Sequence, residues 1–241
     1  MDPDVPTAFA AHEGADHTAA IAVRRLGHAL AAATVDAALA ERIAATLGAL
    51  ADEVDAAPRR DKHVEHAKHS TRYTALLEGR MPDPTPHGHE IEFDRTSIVG
   101  GRLNPFGLDA RHHRDGDEAV TTVNFGPAFE GPPGRVHGGA VALVIDEATA
   151  TVLPMEGRFG FTGSMSLKLV APAPLGVDVQ FRSRLVGEEG RKLFVRCVAT
   201  GPAGTFAEAD AVYIQVDPRT GPWIAAAIAA RDGDPSADTQ G

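Results

Sequence analysis

This chain of 241 residues contains one cysteine and fewer basic than acidic residues. The single cysteine, Cys197, excludes an intrachain disulfide, and its alternating surroundings indicate a small core residue instead of a nucleophile. The 23 basic and 33 acidic residues give a formal net charge of -10, which argues against general nucleic-acid binding. No uninterrupted apolar run reaches the length of a bilayer span, and the first residues lack a signal-peptide pattern. We therefore expect a cytoplasmic protein with no membrane partner.

Several well-known catalytic motifs are also missing. The sequence contains no phosphate-binding P-loop, no dinucleotide fingerprint, no Gly-x-Ser-x-Gly elbow and no zinc-protease motif. His63, His66 and His69 stand three apart, but no acid or cysteine completes a ligand set at known spacings. We interpret these histidines as a solvated face, and we expect no bound metal.

The chain changes character near residue 80. Before that point, leucines and isoleucines recur every three or four residues, which predicts one helix or a pair of helices ending at Pro58 and a shorter one over 61–78. Proline and glycine then mark a linker. We divide the chain into a helical extension (1–80), a linker (81–94), a second domain (95–222) and a polar tail (223–241).

The second domain is built mainly from residues with a period of two. Alternating apolar residues predict five strands of a largely antiparallel sheet, near 120–125, 164–169, 177–182, 193–198 and 212–216. Hairpin signals end at Gly190 and Gly204. The stretch around His112 and His113 is interpreted as an exposed polar loop. One long apolar helix begins near His137, so we predict an α+β fold with the sheet wrapped on that helix.

A glycine-rich turn leads directly into this helix. If Gly138 and Gly139 occupy its first turn, their N–H groups lack intrahelical partners and can stabilise a carbonyl oxygen that gains negative charge. The alternative is a helix cap that needs glycine for packing. His137 precedes the glycines, where it is either a general base, a hydrogen-bond donor or a structural residue.

Asp146 is the candidate acid of this helix. Its helical neighbours are apolar or weakly polar, and a desolvated carboxylate is suited to activating water. The alternative is that Asp146 and Glu147 form a solvated helix edge. Thr162 begins the next strand, where its hydroxyl either orients water beside the carboxylate or simply favours the strand.

Together these segments resemble a known family. The run from Gly131 to Gly139 (Gly-Pro-Pro-Gly-x-Val-His-Gly-Gly), followed by Asp146, is similar to the hotdog-fold thioesterases of the PaaI and THEM4-like group. Thr162 and the strand ending Pro172-Ala-Pro-Leu-Gly176 match that group as well, and the similarity covers roughly residues 95 to 217.

The resemblance implies a hotdog fold and hydrolysis of acyl-coenzyme A thioesters at the interface of a homodimer, which relatives often pair into a tetramer. It implies that Gly138 and Gly139 meet the thioester carbonyl, that Asp146 acts across the interface as general base or nucleophile, and that Thr162 places water. No metal or redox cofactor is implied. The residues assigned to substrate binding are Val136, Gly163, Ser164, Lys168 and Arg191.

Two departures from the family pattern matter. Relatives often carry a basic residue before the proline that is Pro172 here, near the coenzyme A phosphates, but this chain has Ala171. Glu130-Gly131-Pro132 stands where the PaaI branch tends to have His-Asn, which favours the THEM4-like branch. The missing basic residue and the extra helices leave a second hypothesis open, a non-catalytic acyl-CoA or lipid-binding protein. A hydratase on the same fold would need an acid–histidine spacing that is not found.

Overall fold

The computed structural model describes residues 6–60 and 70–217, and the side chains from residue 14 onward. Two helices open the chain, α1 (Pro6–Ala32) and α2 (Ala37–Asp55), followed by the short α3 (Thr71–Leu77). The side chain of Asp36 accepts a hydrogen bond from the Leu39 N–H and thereby caps the start of α2. The predicted pair of helices before Pro58 is confirmed. His63, His66, His69 and the tail from 223 lie outside the described residues.

Six strands form one antiparallel sheet. They are β1 (Arg111–Asp115), β2 (Glu118–Asn124), β3 (Gly160–Leu169), β4 (Asp178–Glu189), β5 (Lys192–Gly201) and β6 (Gly204–Gln215). Their order across the sheet is β1-β2-β4-β5-β6-β3, so β1 and β3 are the two edges. The five predicted strands are confirmed, and β6 starts eight residues earlier than its sequence pattern indicated. The polar loop predicted around His112 is wrong, because those residues form β1.

One helix, α4 (Gly138–Ala150), packs on the inner face of this sheet, and α5 (Val152–Met155) follows at once. The buried face of α4 carries Val141, Val144, Ile145 and Ala148, which contact Phe125, Phe181 and Phe206 from the sheet. A second cluster lies beneath α5 and includes Leu193 and Tyr213. The predicted α+β fold, a sheet wrapped on one long helix with helices before it, is therefore confirmed.

The stretch Gly138–Met155, which Asp146 and Glu147 interrupt, is long and apolar enough to cross a membrane by length and composition. Most of it is buried inside this molecule, where the sheet and its apolar side chains surround it. A core helix passes the same test, so the pattern is weak evidence for a membrane span.

The segment before β1 is packed against the sheet. Glu90 forms a bridge with His113, and the Ile91 N–H donates to the His112 carbonyl. Val99 and Leu108 of the following loop are buried in the main core. The loop from 94 to 110 therefore covers one side of α4, and this contact positions part of the site described next.

Candidate active site

The start of α4 is capped by His137. Its backbone is extended (φ -62°, ψ 132°), and its Nδ1 accepts a hydrogen bond from the Gly139 N–H at 3.0 Å. An Nδ1 that accepts leaves the proton of a neutral ring on Nε2. Gly138 is the first helical residue, and its N–H has no acceptor among the residues that the structure describes. In the described structure, the first turn of α4 therefore presents the Gly138 N–H as an open donor, whereas the Gly139 N–H is bonded to His137.

The turn before the helix holds His137 in place. The His137 N–H donates to the Phe129 carbonyl at 2.8 Å. A Cβ on Gly131 would lie 2.8 Å from the His137 Cα, closer than real Cβ contacts allow. Glycine is thus required at 131 for the turn to approach the cap residue. His137 is exposed, and with Phe129 and Leu143 it lines a shallow open depression beside the helix start.

Asp146 lies two turns further along α4 and meets Thr162 of β3. The Thr162 hydroxyl donates to the Asp146 Oδ1 at 3.3 Å, and both residues are exposed in the single chain. The structure therefore brings together two of the residues singled out from the sequence. A water molecule beside this contact can hydrogen-bond to both the hydroxyl and the carboxylate, which is the arrangement that a hydrolytic base requires.

Tyr213 of β6 completes this group and was missed in the sequence. It lies opposite Thr162 in the β3–β6 ladder, is almost fully buried, and donates from its hydroxyl to the Asp146 carbonyl at 3.2 Å. Thr149 bonds the same hydroxyl at 2.8 Å. Burial raises the pKa of Tyr213, the hydrogen bonds with Thr149 and Thr162 lower it, and the charge of Asp146 raises it. A buried tyrosine that hydrogen-bonds the helix backbone fixes the helix where it carries Asp146.

A β-bulge in β3 sets the direction of the side chains around Thr162. The register with β6 shifts between Thr162 and Ser164, so Gly163 is an extra residue. Cross-strand neighbours share a face, and Tyr213 and Ala211 are buried on the helix side. Their partners Thr162 and Met165 therefore both face α4, three residues apart. Without the bulge, strict alternation would turn one of the two away.

Glu147, the neighbour of Asp146, has a different environment. It is buried, and its Oε1 accepts from the Gly100 N–H at 2.7 Å and the Ser97 hydroxyl at 3.0 Å. His112 Nε2 lies 3.1 Å from the same oxygen, and its Nδ1 contacts Thr121 at 2.9 Å. The alternative of a solvated helix edge is therefore excluded for Glu147, whereas Asp146 is exposed in the single chain, which corrects the expectation that its carboxylate is desolvated there. A Cβ on Gly100 would lie 2.3 Å from the His112 Nε2, so only glycine fits there.

The residues predicted to bind substrate are dispersed. The Val136 side chain is buried in the core, and its N–H donates to the Ala173 carbonyl, so only the remaining backbone of Val136 is open to a ligand. Ser164 and Lys168 are exposed on β3 opposite outward-facing residues. Lys168 pairs with Glu208 in register, whereas the Arg191 backbone carbonyl accepts from the Gln215 N–H, at the other end of β6. Their partners on β6, Glu208 and Gln215, are seven residues apart, which is roughly 23 Å along the strand. The two basic side chains of one chain therefore cannot share one phosphate.

No cluster of three metal-ligating side chains occurs among residues 6–60 and 70–217. Cys197 is buried beside Ser183, and burial raises the pKa of its thiol to about 11, which agrees with the core position predicted for it.

Comparison with known proteins finds no matching family model. The chain is 39% identical over 101 residues to acyl-coenzyme A thioesterase THEM4 of Mus musculus, covering 41% of this chain and 44% of that protein. It is 34% identical over 109 residues to THEM4 of Bos taurus, with 44% and 45% covered. Acyl-coenzyme A thioesterase THEM5 of Mus musculus is 27% identical over 106 residues. The chain thus spans less than half the length of the curated relatives it matches.

A solved thioesterase superfamily protein has the same fold, with a TM-score of 0.66 at 21% identity. The similarity covers 83% of this chain and 90% of that one. Residues 81–241 alone could not supply such a share, so the shared fold includes part of the N-terminal helices. The resemblance of this chain to the PaaI and THEM4-like hotdog thioesterases is therefore confirmed, by sequence over two fifths of the chain and by fold over most of it.

Proposed function

We propose that this protein is an acyl-coenzyme A thioesterase that hydrolyses its substrate to a free acid and coenzyme A. The observation that carries the proposal is the contact between Thr162 and Asp146 at 3.3 Å, on the helix whose first turn presents the Gly138 N–H. A base with a water-orienting hydroxyl and a backbone donor for an oxyanion are the two parts that thioester hydrolysis needs. The named thioesterase relatives support the same reaction.

In this proposal the base and the backbone donor for the oxyanion come from different subunits. Gly138 and Asp146 are eight residues apart in one helix, which separates them by about 12 Å along its axis. A single thioester carbonyl cannot touch both. A homodimer in which α4 of one subunit faces α4 of the other brings each glycine turn to the partner's acid. Such a dimer also explains why Asp146 is exposed in the single chain, since the partner would remove it from water.

The edge strand β3 supplies the surface for this dimer. β3 is exposed along almost its whole length, and within residues 6–60 and 70–217 it pairs only with β6, which leaves one row of its backbone N–H and C=O groups without a partner strand in that part of the chain. Apolar side chains accompany this edge, with Phe161 and Leu169 each 52% exposed and Met165 37%. An antiparallel contact between two β3 strands would pair the open backbone and cover these side chains. Further pairing of dimers into a tetramer is compatible with this arrangement.

The proposed reaction begins with a water molecule hydrogen-bonded beside the contact of Asp146 with Thr162. Water attacks the thioester carbonyl carbon, its proton passes to the Asp146 carboxylate, and the carbonyl oxygen becomes an oxyanion at the N–H of Gly138 of the partner subunit. The C=O bond then re-forms, the C–S bond breaks, and the coenzyme A thiolate leaves with the proton that Asp146 had taken up. The Gly139 N–H serves as a second donor if it shares its hydrogen bond with the His137 Nδ1. His137 orients the turn, and no step uses a metal or a redox cofactor.

The direct test is hydrolysis of a panel of acyl-coenzyme A thioesters, followed with a thiol reagent. We expect Asp146→Asn to lose at least ~100-fold in kcat/KM, the usual scale for a general base. Asp210→Asn is the matched control, because Asp210 is an exposed acid on β6 that pairs with Arg196 at the surface. Full activity in Asp146→Asn would refute the assigned role. A single turnover in ¹⁸O-water distinguishes Asp146 as general base from Asp146 as nucleophile. Label found in the Asp146 carboxylate itself would show that it acts as nucleophile.

A second candidate function is non-catalytic binding of acyl-coenzyme A. The observations that favour it are the Gly139 N–H already bonded to His137 and the absence of a basic residue before Pro172. Calorimetry with acyl-coenzyme A distinguishes the two functions. Tight binding without release of thiol over hours would establish the binding protein and exclude the enzyme.

A further inference from the structure

A cavity of about 300 Å³ lies at the far end of α4 from the glycine turn. Its walls come from three places: α3 of the N-terminal extension, the segment from 92 to 103, and the region where α4 passes into α5 and β3. The surface inside is mainly apolar, with Leu76, Leu103, Ala150 and Leu153 among the lining residues. The catalytic geometry described above does not use this cavity, and the proposed dimer contact shares only Phe161 with the lining residues that the structure describes.

The cavity adjoins the candidate catalytic pair on both elements that carry it. Ala150 lines the cavity and follows Asp146 by four residues, one helical turn or about 6 Å along the axis. Phe161 lines the cavity and directly precedes Thr162 in β3. A chain that extends from a carbonyl near Asp146 therefore reaches this space within a few bonds.

We propose that this cavity receives the acyl group of the substrate, and that Leu76 of the N-terminal extension limits the length of apolar chain accepted. The inference rests on the proposed function and specifies its substrate class as acyl groups with an apolar chain. The space is too small and too apolar for the nucleotide part of coenzyme A. The charged groups among its lining residues carry both signs, because Arg72, Arg95 and Arg158 stand beside Glu92 and Asp94, so the substrate class is argued from the apolar lining alone.

The position of Leu76 is fixed by Arg72 on the same helix. The Arg72 guanidinium donates to the Pro154 carbonyl at 2.7 Å and the Arg158 carbonyl at 3.3 Å, which ties α3 to the chain between α5 and β3. Burial lowers the pKa of Arg72 to about 10, while the charge of Glu92 raises it. Leu76 is 2% exposed, so it forms a fixed wall and not a mobile cover.

The test measures binding of S-alkyl thioethers of coenzyme A, which cannot be hydrolysed, with alkyl chains from methyl upward. In the wild type we expect the Kd to fall by about 4-fold per methylene until the cavity is full, and then to level off. Leu76→Phe should move the levelling point to a shorter chain, and Leu76→Ala to a longer one. Ala150→Leu fills the cavity from the opposite wall and should also shorten the limit, which keeps the test valid if one Leu76 variant does not fold.

The control is Leu47→Phe, on the exposed face of α2 away from the cavity. Folded Leu76 and Ala150 variants with the chain-length profile of the wild type would overturn the proposal, as would tighter binding of ω-carboxyalkyl thioethers than of alkyl ones. Binding is measured without turnover, so the acyl site stands or falls separately from catalysis. If Asp146→Asn retains activity, the proposed mechanism fails while the chain-length profile still tests the cavity.

Discussion

Asp146 and Glu147 are adjacent on α4 and face opposite environments. The carboxylate of Asp146 is exposed beside the Thr162 hydroxyl, whereas that of Glu147 is buried and accepts hydrogen bonds from the 94–110 loop. Successive residues of a helix point about 100° apart, so neighbouring acids can serve two elements at once. One carboxylate is left exposed, and the other joins α4 to the loop that covers it.

This difference predicts unequal effects on stability. Glu147→Ala removes the buried acceptor of the Ser97 hydroxyl and the shorter hydrogen bond of the Gly100 N–H, and it leaves His112 without its carboxylate contact, so we expect the free energy of unfolding to fall by about 3 kcal/mol. Asp146→Ala removes an exposed carboxylate and should change it by less than ~0.5 kcal/mol. Urea denaturation of both variants measures the difference. Equal losses would contradict the assignment of Glu147 as the acid that supports the fold.

Substitutions at Thr162 separate its hydroxyl from its role in the strand. Thr162→Ala removes the donor to Asp146 and should lower kcat by about 10-fold, the value of one hydrogen bond to a charged group. Thr162→Ser keeps the hydroxyl and should restore most of the activity. Steady-state kinetics with one acyl-coenzyme A measures both. A serine variant as slow as the alanine variant would mean that the methyl group, and therefore packing, matters instead.

The edge of β3 can be tested through the oligomeric state. Met165→Asp places a charge on the proposed interface in both subunits, so we expect the dimer to dissociate at concentrations where the wild type remains paired. Val186→Asp is the control, since Val186 is a similarly exposed apolar residue on β4 (49% against 37%). Sedimentation equilibrium gives the two dissociation constants. A dimer that survives Met165→Asp unchanged must use another surface.

The thiol of Cys197 should not react with a thiol reagent while the protein is folded. It is fully buried with a pKa raised to about 11, so the native protein should give no titratable thiol at pH 8 and one after denaturation. Because the folded state holds this proton more tightly than the unfolded state, its contribution to stability is full below pH 9. It is lost as the pH rises toward 11. A fast-reacting thiol in the native protein would refute the buried position.

The regular parts of this fold were readable from the sequence because their periods are strong. Five of the six strands alternate clearly, and the uniformly apolar run from Gly138 indicated a helix inside a sheet. β1 was not readable, since its residues Arg111–Asp115 include no aliphatic side chain. Its pairing with β2 and the burial of His112 against Glu147 are tertiary effects. A local pattern does not record them.

The candidate site was predicted as a set of residues but not as a geometry. The glycines, Asp146 and Thr162 followed from motif spacing. Tyr213 was hidden within an ordinary strand pattern, and nothing in its own neighbourhood distinguishes it. Its link to Asp146 spans 67 positions along the chain and depends on the β3–β6 register. A motif search can find residues that are close in sequence, whereas the supporting tyrosine is close only in space.

The N-terminal helix α1 contacts the same turn that holds His137. The Nδ1 of His28 accepts from the Ala128 N–H at 3.1 Å, and the Phe129 carbonyl accepts from the His137 N–H. Arg24 pairs with Asp109 at 2.9 Å, one helical turn before His28. The division of the chain near residue 80 therefore describes composition and does not mark a place to cut. A fragment beginning at residue 95 would lack the contacts of α1 with the turn before α4. It would also lack the wall that α3 contributes to the cavity, so binding and kinetic constants measured on it would not apply to the whole chain.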